Sequence, residues 1–506
     1  MGLRKVAGAL AIATTISGPA LAQPVTKARL AATTSLVTRT VDELTKVPGG
    51  IAGYGVVIAA EGAPDFYLMR GIANAATKAP VTPDTAFYIA SQTKSYTGLL
   101  AAKLDREGVL PLDTTLGQAW PGLRLPPPID ANKVTLRQLL SHNSGFDNPV
   151  LEERTAYTDE VAPEAYPRLL ETASTVGKGG FQYTNDGYLI YSAVLKQRTG
   201  RDWKSWLASD VYAPLSLTGT YNRSSLIPPD RLAWGHQWDG AKWVPVQPKS
   251  DAIMHAAGGS FATGRDLAKW IRWQLRLGKG QSAIPRADFE ATHRDLVAGG
   301  VGEGGFGIKC DGYALGWSLC TYQGQEMLYH GGTYPGVRTH LFMLPKHDVG
   351  VAIVANSDGM TGNLGQFFMS VIAASLLGDP KAPELAAQMV AGYRDQVGKQ
   401  VENRIKGRAE SEADPRWAGW AWQPDRSALA AYEGVYHSDT FGDLEVRLAG
   451  DRLQVALGVM RRDLRPAAEG LFAARATPVE RWEPVRFTLA DGKVTGVDFA
   501  GKSFKR

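Results

Sequence analysis

Phe87-Tyr88-Ile89-Ala90-Ser91-Gln92-Thr93-Lys94-Ser95-Tyr96-Thr97 is the stretch whose reading organises the rest of the chain. A short apolar run, Ala86 to Ala90, stops at Ser91. Tyr96, Leu99, Leu100 and Leu104 then recur at three- and four-residue intervals, which predicts a helix ending near Gly108. Ser91 is thereby placed at a helix N-terminus, where backbone N–H groups lack intrahelical partners and the dipole favours negative charge. Lys94 follows one turn later on the same face. A serine hydroxyl is a poor nucleophile without a neighbouring base, and a lysine desolvated between helix and sheet can be brought low enough to act as one. Ser91 is the candidate nucleophile and Lys94 its partner. The competing reading is an ordinary N-cap followed by a solvated lysine. Ser-x-x-Lys arises by chance in many chains, so companions must decide.

The 506 residues are 44% hydrophobic and 21% charged, a balance that builds a large core and more than one domain. Met1 to Ala22 reads as a secretory leader: Arg4-Lys5, an apolar centre from Val6 to Ile16, and Ala20-Leu21-Ala22 before Gln23. Cleavage after Ala22 would release a periplasmic or secreted protein. No cysteine follows that point, so no lipid anchor is indicated, and no later stretch is apolar enough to span a bilayer. The formal net charge is +5, or +3 without Arg4 and Lys5. With no basic run interleaved with aromatics, that balance points away from nucleic acid and membrane surfaces. Oligomeric state is not legible. In an oxidising compartment Cys310 and Cys320 are permitted a disulfide. If Tyr313 to Ser318 is one strand they stand too far apart for it, whereas a turn at Asp311-Gly312 would bring them together. The balance tips slightly against the bridge.

Along the chain, Lys27–Lys46 has helical spacing, and Gly53–Ala59 with Phe66–Ala73 reads as a hairpin. Thr135–Leu140, Pro163–Ala173, Tyr188–Thr199 and Thr263–Leu277 are expected helices. Strands are expected near Tyr313–Leu319, Glu326–Tyr329, Thr339–Leu344 and Gly350–Asn356, closed by a helix over Asn363–Leu377. Pro383–Glu410 reads as a charged helical connector. From Tyr432 to Arg506 short alternating segments with regular turns predict a small barrel or sandwich.

The companions of Ser91 lie in two places. Tyr183-x-Asn185 falls on a loop before a buried helix. A tyrosine there, its phenol pKa lowered by the lysine charge, can shuttle a proton to the leaving group. Asn185 can donate to a substrate carbonyl and accept from Lys94. His330-Gly331-Gly332-Thr333 ends an expected strand. Its glycines allow close approach of a ligand, and the Thr333 N–H can pair with the Ser91 N–H as an oxyanion hole. Taken singly, each is more often a turn residue or a strand-end histidine. The remaining histidines fall in no ligand-like spacing, so no metal site is expected, and the chemistry requires no cofactor.

Ser-x-x-Lys, Tyr-x-Asn and His-Gly-Gly, in this order and with Val134–Phe146 (VTLRQLLSHNSGF), resemble the serine β-lactamase and penicillin-binding protein superfamily, specifically its class C-like branch. Asp84-x-x-Phe87, Tyr313-x-Leu-Gly-Trp317 and Gly258-Gly259 before a helix match as well, and the resemblance covers about residues 28–380. It implies an α+β fold: an antiparallel sheet flanked by helices, an all-helical lobe, and the site between them. It also implies an acyl-enzyme on Ser91, with Lys94 and Tyr183 sharing the proton work. The C-terminal segment, opening with Tyr432-Glu433-Gly434-Val435-Tyr436, resembles the lipocalin-like barrels appended to such hydrolases, which in some relatives lend a loop to the pocket. The implied organisation is a leader (1–22), a hydrolase domain (23–380), a helical connector (381–428) and a barrel (429–506).

One departure narrows the function. True β-lactamases and carboxypeptidases of the group carry Lys-Thr-Gly where this chain has His330-Gly331-Gly332. A largely neutral histidine weakens recognition of a β-lactam carboxylate. The triplet looks more like that of the D-aminopeptidases, amidases and esterases. The expected function is a secreted serine hydrolase cleaving amide bonds of small peptides. A carboxylesterase or β-lactamase is the alternative, and a non-catalytic penicillin-binding sensor is the more distant one.

Overall fold

Gly53–Ala60 (β1) is buried along its whole length because both faces of its sheet are covered. Tyr54, Val56 and Ile58 enter one core, and Val57 and Ala59, pointing the other way, enter another. Val349–Ala355, its antiparallel neighbour, divides in the same manner. The computed structural model describes residues 23–278, 282–300, 306–357 and 363–506. The expected leader, residues 1–22, lies outside the described residues.

The sheet has nine antiparallel strands. In chain order they are β1, β2 (Phe66–Asn74), β3 (Ala79–Pro80), β4 (Val297–Ala298), β5 (Ile308–Tyr313), β6 (Ser318–Tyr322), β7 (Gln325–Tyr334), β8 (Val337–Leu344) and β9 (Val349–Ala355). In space the order is β4-β5-β6-β7-β8-β9-β1-β2-β3, so the chain's first hairpin completes a sheet begun by its later strands. One face is covered by α1 (Lys27–Leu44), capped by the Thr26 hydroxyl, which buries Leu36, Val37, Val41 and Leu44 at helical spacing. The expected helix at Asn363–Leu377 covers the same face. So does the first half of the long helix Ala382–Glu412, through Ala386, Met389, Val390, Tyr393 and Val397. The segment read as a connector therefore also contributes core.

The opposite face carries the helical lobe, centred on α2 (Thr93–Arg106). Every α2 residue from Thr93 to Ala102 is buried. The amphipathic pattern seen in the sequence is only part of its contact surface. Trp270, from the helix Gly264–Arg276, stacks on Tyr96 with centroids 4.0 Å apart. Gly98 meets the sheet through a close backbone approach: a Cβ there would lie 2.3 Å from the Leu315 carbonyl oxygen.

One expected strand is corrected. Tyr313–Leu319 is not continuous; the chain turns back between β5 and β6, with the Ala314 N–H donating to the Trp317 carbonyl and Gly316 at φ +83°. Ala314, Leu315 and Trp317 are buried beneath α2, so this turn is as apolar as a strand and reads like one. The reversal places Cys310 opposite Cys320, and the two form a disulfide. The turn lies at 314–317 rather than at Asp311-Gly312, where the pairing register shifts instead.

Eight strands between Gly434 and Lys505 close into a barrel around Tyr436, Phe472, Phe487 and Phe504. The barrel touches the hydrolase domain at residues 153–158, at Arg168, which pairs with Asp439, and at Gln237, which accepts from Thr477. The Val459 N–H donates to the Thr158 carbonyl (2.6 Å), Arg154 Nη1 donates to the Thr440 carbonyl (3.1 Å), and Lys502 pairs with Glu153. Among the described residues no helix is long and apolar enough to cross a membrane.

Candidate active site

Ser91 lies in a single 3-10 turn, Ala90–Gln92, that leads into α2, and its side chain caps nothing. Lys94, one turn on, is fully buried. Its Nζ lies 3.1 Å from Ser91 Oγ, 2.6 Å from Asn185 Oδ1 and 2.9 Å from the Ala257 carbonyl oxygen. Burial holds this amine down to about 7, with the Glu152 carboxylate pulling in the opposite direction. A neutral amine has two N–H donors and one lone pair. With both donors spent on Asn185 and Ala257, the lone pair is left for the Ser91 hydroxyl proton. The solvated-lysine reading is excluded.

Tyr183 and Asn185 precede the helix Asp186–Thr199. The Asn185 side chain does not cap that helix, which frees its amide for Lys94 on one side and for Glu152 Oε1 (2.8 Å) on the other. The loop is pinned by Asp186, whose carboxylate accepts the Asn148 N–H at 2.6 Å. Tyr183 presents its ring 4.9 Å from Lys94 Nζ, and its phenol is hydrogen-bonded to Ser91. The expected lowering of this phenol is not found: burial pushes it up, and the Ser91 hydrogen bond offsets that only in part. With Lys94 itself near neutrality, there is little positive charge to stabilise a phenolate.

His330, Gly331, Gly332 and Thr333 lie inside β7 rather than at its end. Gly332 packs on the turn that holds Ser91; a Cβ there would lie 2.3 Å from the Ile89 carbonyl oxygen. Thr339 Oγ1, on the neighbouring strand, donates to that same carbonyl. His330 is buried, its Nδ1 donating to the Gly331 carbonyl (2.7 Å) and its Nε2 accepting from the Tyr313 hydroxyl (3.2 Å). Burial, assisted by Lys94, holds it down to about 3, so it is neutral at pH 7. Thr333 is exposed three residues further along β7. Gly332→Ala is expected to lower kcat/KM by about 100-fold through a shift of β7 from the Ser91 turn, with an unchanged circular dichroism spectrum as the check on folding.

Three contributors are not singled out by the sequence. Ala257 offers only its carbonyl, which no side-chain pattern reveals. His142 is buried against Tyr183 and Tyr313, with centroids 4.5 and 4.7 Å away. Glu152 lies in the last turn of the short helix Pro149–Glu153 and reads as an ordinary surface charge until that helix is folded against Asn185. Among the described residues no group of three or more His, Cys, Asp or Glu side chains is placed to hold a metal.

Comparison with known proteins follows this geometry. Protein flp of Staphylococcus aureus (strain COL) is 23% identical over 310 residues, 61% of this chain and 60% of its own length. The chain therefore spans about three-fifths of that relative. Penicillin-binding protein 4 of Amycolatopsis lactamdurans is 26% identical over 326 residues, 62% of this chain and 81% of that protein. The octameric penicillin-binding protein homologue from Pyrococcus abyssi superposes with a TM-score of 0.58 at 23% identity, covering 94% of this chain and 99% of that one. SurE solved with D-Leu superposes with a TM-score of 0.50 at 19% identity, covering 95% and 100%. These two likenesses show the fold. A family model described as Beta-lactamase matches residues 37–366, a span that holds the Ser91 turn, the Tyr183 loop and the His330 strand together, and the chain belongs to the Beta-lactamase family.

Proposed function

We propose that this protein is an exported serine hydrolase that cleaves amide bonds of small peptides through an acyl-enzyme on Ser91. The observation that carries the reading is the Lys94 amine: fully buried and within hydrogen-bond distance of Ser91 Oγ, Asn185 Oδ1 and the Ala257 carbonyl, so that its neutral form, donating to the last two, has a lone pair for the Ser91 hydroxyl. Lys94 Nζ takes the Ser91 proton as Oγ attacks the substrate carbonyl carbon. The oxyanion is received by the Ser91 and Thr333 N–H groups. As the tetrahedral intermediate collapses, the C–N bond breaks and the leaving nitrogen takes the Tyr183 hydroxyl proton, which the Lys94 ammonium replaces. Water, deprotonated along the same path, then releases the acid. Because Tyr183 stays protonated, its role is that of an O–H donor rather than a phenolate base. The neutral His330 offers no charge to a substrate carboxylate, which weighs against a β-lactamase. Membership of a family of serine hydrolases supports the class of reaction.

The test is hydrolysis of D-alanyl p-nitroanilide beside p-nitrophenyl butyrate, with Ser91→Ala as blank. Anilide turnover that disappears in the variant supports the peptidase. Ester turnover alone moves the protein to the esterase reading, and turnover that persists in Ser91→Ala overturns the acyl-enzyme.

The pH dependence follows from Lys94. Its neutral form is the active one and its pKa in the fold is depressed to about 7. kcat/KM therefore rises with pH below that value, reaches half its plateau near it and stays level above. Lys249 is also held down to about 7 by burial, but among the described residues it makes no contact with Ser91. A stopped-assay profile of Lys249→Met is expected to keep the same limb.

A further inference from the structure

We infer that the Glu152 carboxylate is the seat for a free ammonium group of the substrate, so that the enzyme selects peptides or amino-acid amides whose amine lies beside the scissile carbonyl. The inference rests on the amide-hydrolase reading above and adds to it the group that chooses the substrate. Glu152 is half-buried and lies one side chain away from the Ser91–Lys94 pair: its Oε1 accepts from Asn185 Nδ2 at 2.8 Å, and Asn185 Oδ1 accepts from Lys94 at 2.6 Å. That chain of bonds links the carboxylate to the lysine of the nucleophile through a single side chain. One carboxylate oxygen is used by Asn185, and among the described residues no hydrogen bond or ion pair takes the second.

Its charge is not cancelled by its surroundings. Glu153, the next residue, pairs with Lys502 of the barrel, and Arg154 pairs with Asp159. The two cations within electrostatic reach of Glu152 are Lys94 and Lys249. Both are buried, and Lys249 is enclosed by the rings of Tyr88, Tyr157 and Tyr334 with its amine donating to the Ile253 carbonyl. Burial disfavours their charged forms, so the carboxylate faces the site as a net negative group. The other titratable side chains that feel it are Tyr157 and Tyr183, neutral phenols, and Asp186, whose carboxyl burial pushes well above the usual range. His142 and His330 are neutral through burial. A negative group with one open oxygen suits a cation. A metal ion would need further oxygen or nitrogen ligands, and among the described residues no group of three or more His, Cys, Asp or Glu side chains gathers to supply them, whereas an ammonium is satisfied by one charge-assisted bond and ring faces nearby.

The seat is also rigid. Asn148 caps the Glu152 helix, accepting the Leu151 N–H and donating to the Leu169 carbonyl, while its own N–H is held by Asp186. The barrel grips the residues on the far side through Lys502, Thr440 and Val459. A preorganised carboxylate costs little to align on binding.

Glu152→Gln tests this in the full-length enzyme, because the glutamine carbonyl can still accept from Asn185 and only the charge is removed. The measurement is the ratio of kcat/KM for D-alanyl p-nitroanilide, which carries a free ammonium, to that for its N-acetyl derivative, which does not. The wild type is expected to favour the free amine, and the ratio to fall about 10- to 100-fold in the variant, mainly through KM. Loss of the carboxylate also lowers the Lys94 pKa further, but that change acts on both substrates equally and leaves the ratio alone. The same pair as methyl esters gives the ratio if the anilides turn over too slowly. A ratio that does not change, or equal losses on both substrates, overturns the assignment and makes Glu152 a positioning residue for Asn185. Turnover that survives Ser91→Ala instead overturns the acyl-enzyme, so the two failures are told apart.

Discussion

Lys94→Met is expected to lower kcat/KM by about 1,000-fold or more on any substrate the enzyme turns over, the upper part of the range for loss of a general base. Methionine matches the lysine stem in length and fits an apolar enclosure, but it has no lone pair strong enough to take the Ser91 proton. The change also removes the donor to Asn185 Oδ1 and to the Ala257 carbonyl. Each acceptor left without a partner costs about 1–3 kcal/mol, so some stability is lost with the activity. Two measurements separate these effects. Steady-state kinetics reads the loss of rate, and urea unfolding reads the loss of stability. A folded variant that keeps wild-type kcat/KM would remove Lys94 from the chemistry. Lys94→Arg is expected to be no better than Lys94→Met, because a guanidinium stays protonated and offers no lone pair.

Trp270→Ala is expected to destabilise the hydrolase domain by about 3–5 kcal/mol, the cost of deleting a fully buried indole and leaving a cavity. Trp270 is 0% exposed and stacks on Tyr96. Tyr96 stands two residues beyond Lys94 on α2, so the cavity opens beneath the helix that carries the site. The indole Nε1 has no hydrogen-bond partner. Trp270→Phe therefore removes an unsatisfied buried donor along with part of the ring, and is expected to cost less. Urea unfolding followed by far-ultraviolet circular dichroism checks both. An alanine variant as stable as the wild type would show that this region repacks without penalty.

The barrel supports the site at a distance. Several of its contacts fall on Glu153, Arg154 and Thr158, close behind Glu152 in the chain. Lys502 is 10% exposed at its side chain and Glu153 37%, so this pair is only partly shielded from the screening that makes surface ion pairs weak.

Much of the site was legible before folding because its groups recur in short strings. Ser91 and Lys94 are one helical turn apart, Tyr183 and Asn185 share one loop, and His330 to Thr333 are consecutive. Helical and strand periodicity placed these strings on a helix, a loop and a strand, and predicted a C-terminal barrel or sandwich, while the α+β class came from the family resemblance that the strings together carry. What could not be read is whatever depends on contacts between distant segments. The Ala314–Trp317 turn looked like a strand because it is buried, and burial makes a turn apolar. The Cys310–Cys320 bridge depended on that turn. The Tyr183 phenol is raised rather than lowered because enclosure outweighs a lysine charge that the same enclosure suppresses. Local sequence alone determined which groups stand within one turn of each other and what chemistry they can perform. Only the tertiary structure decided which of them are desolvated, which carbonyl takes the second Lys94 proton and which carboxylate faces Asn185, because desolvation and pairing are properties of the surroundings and not of the residue.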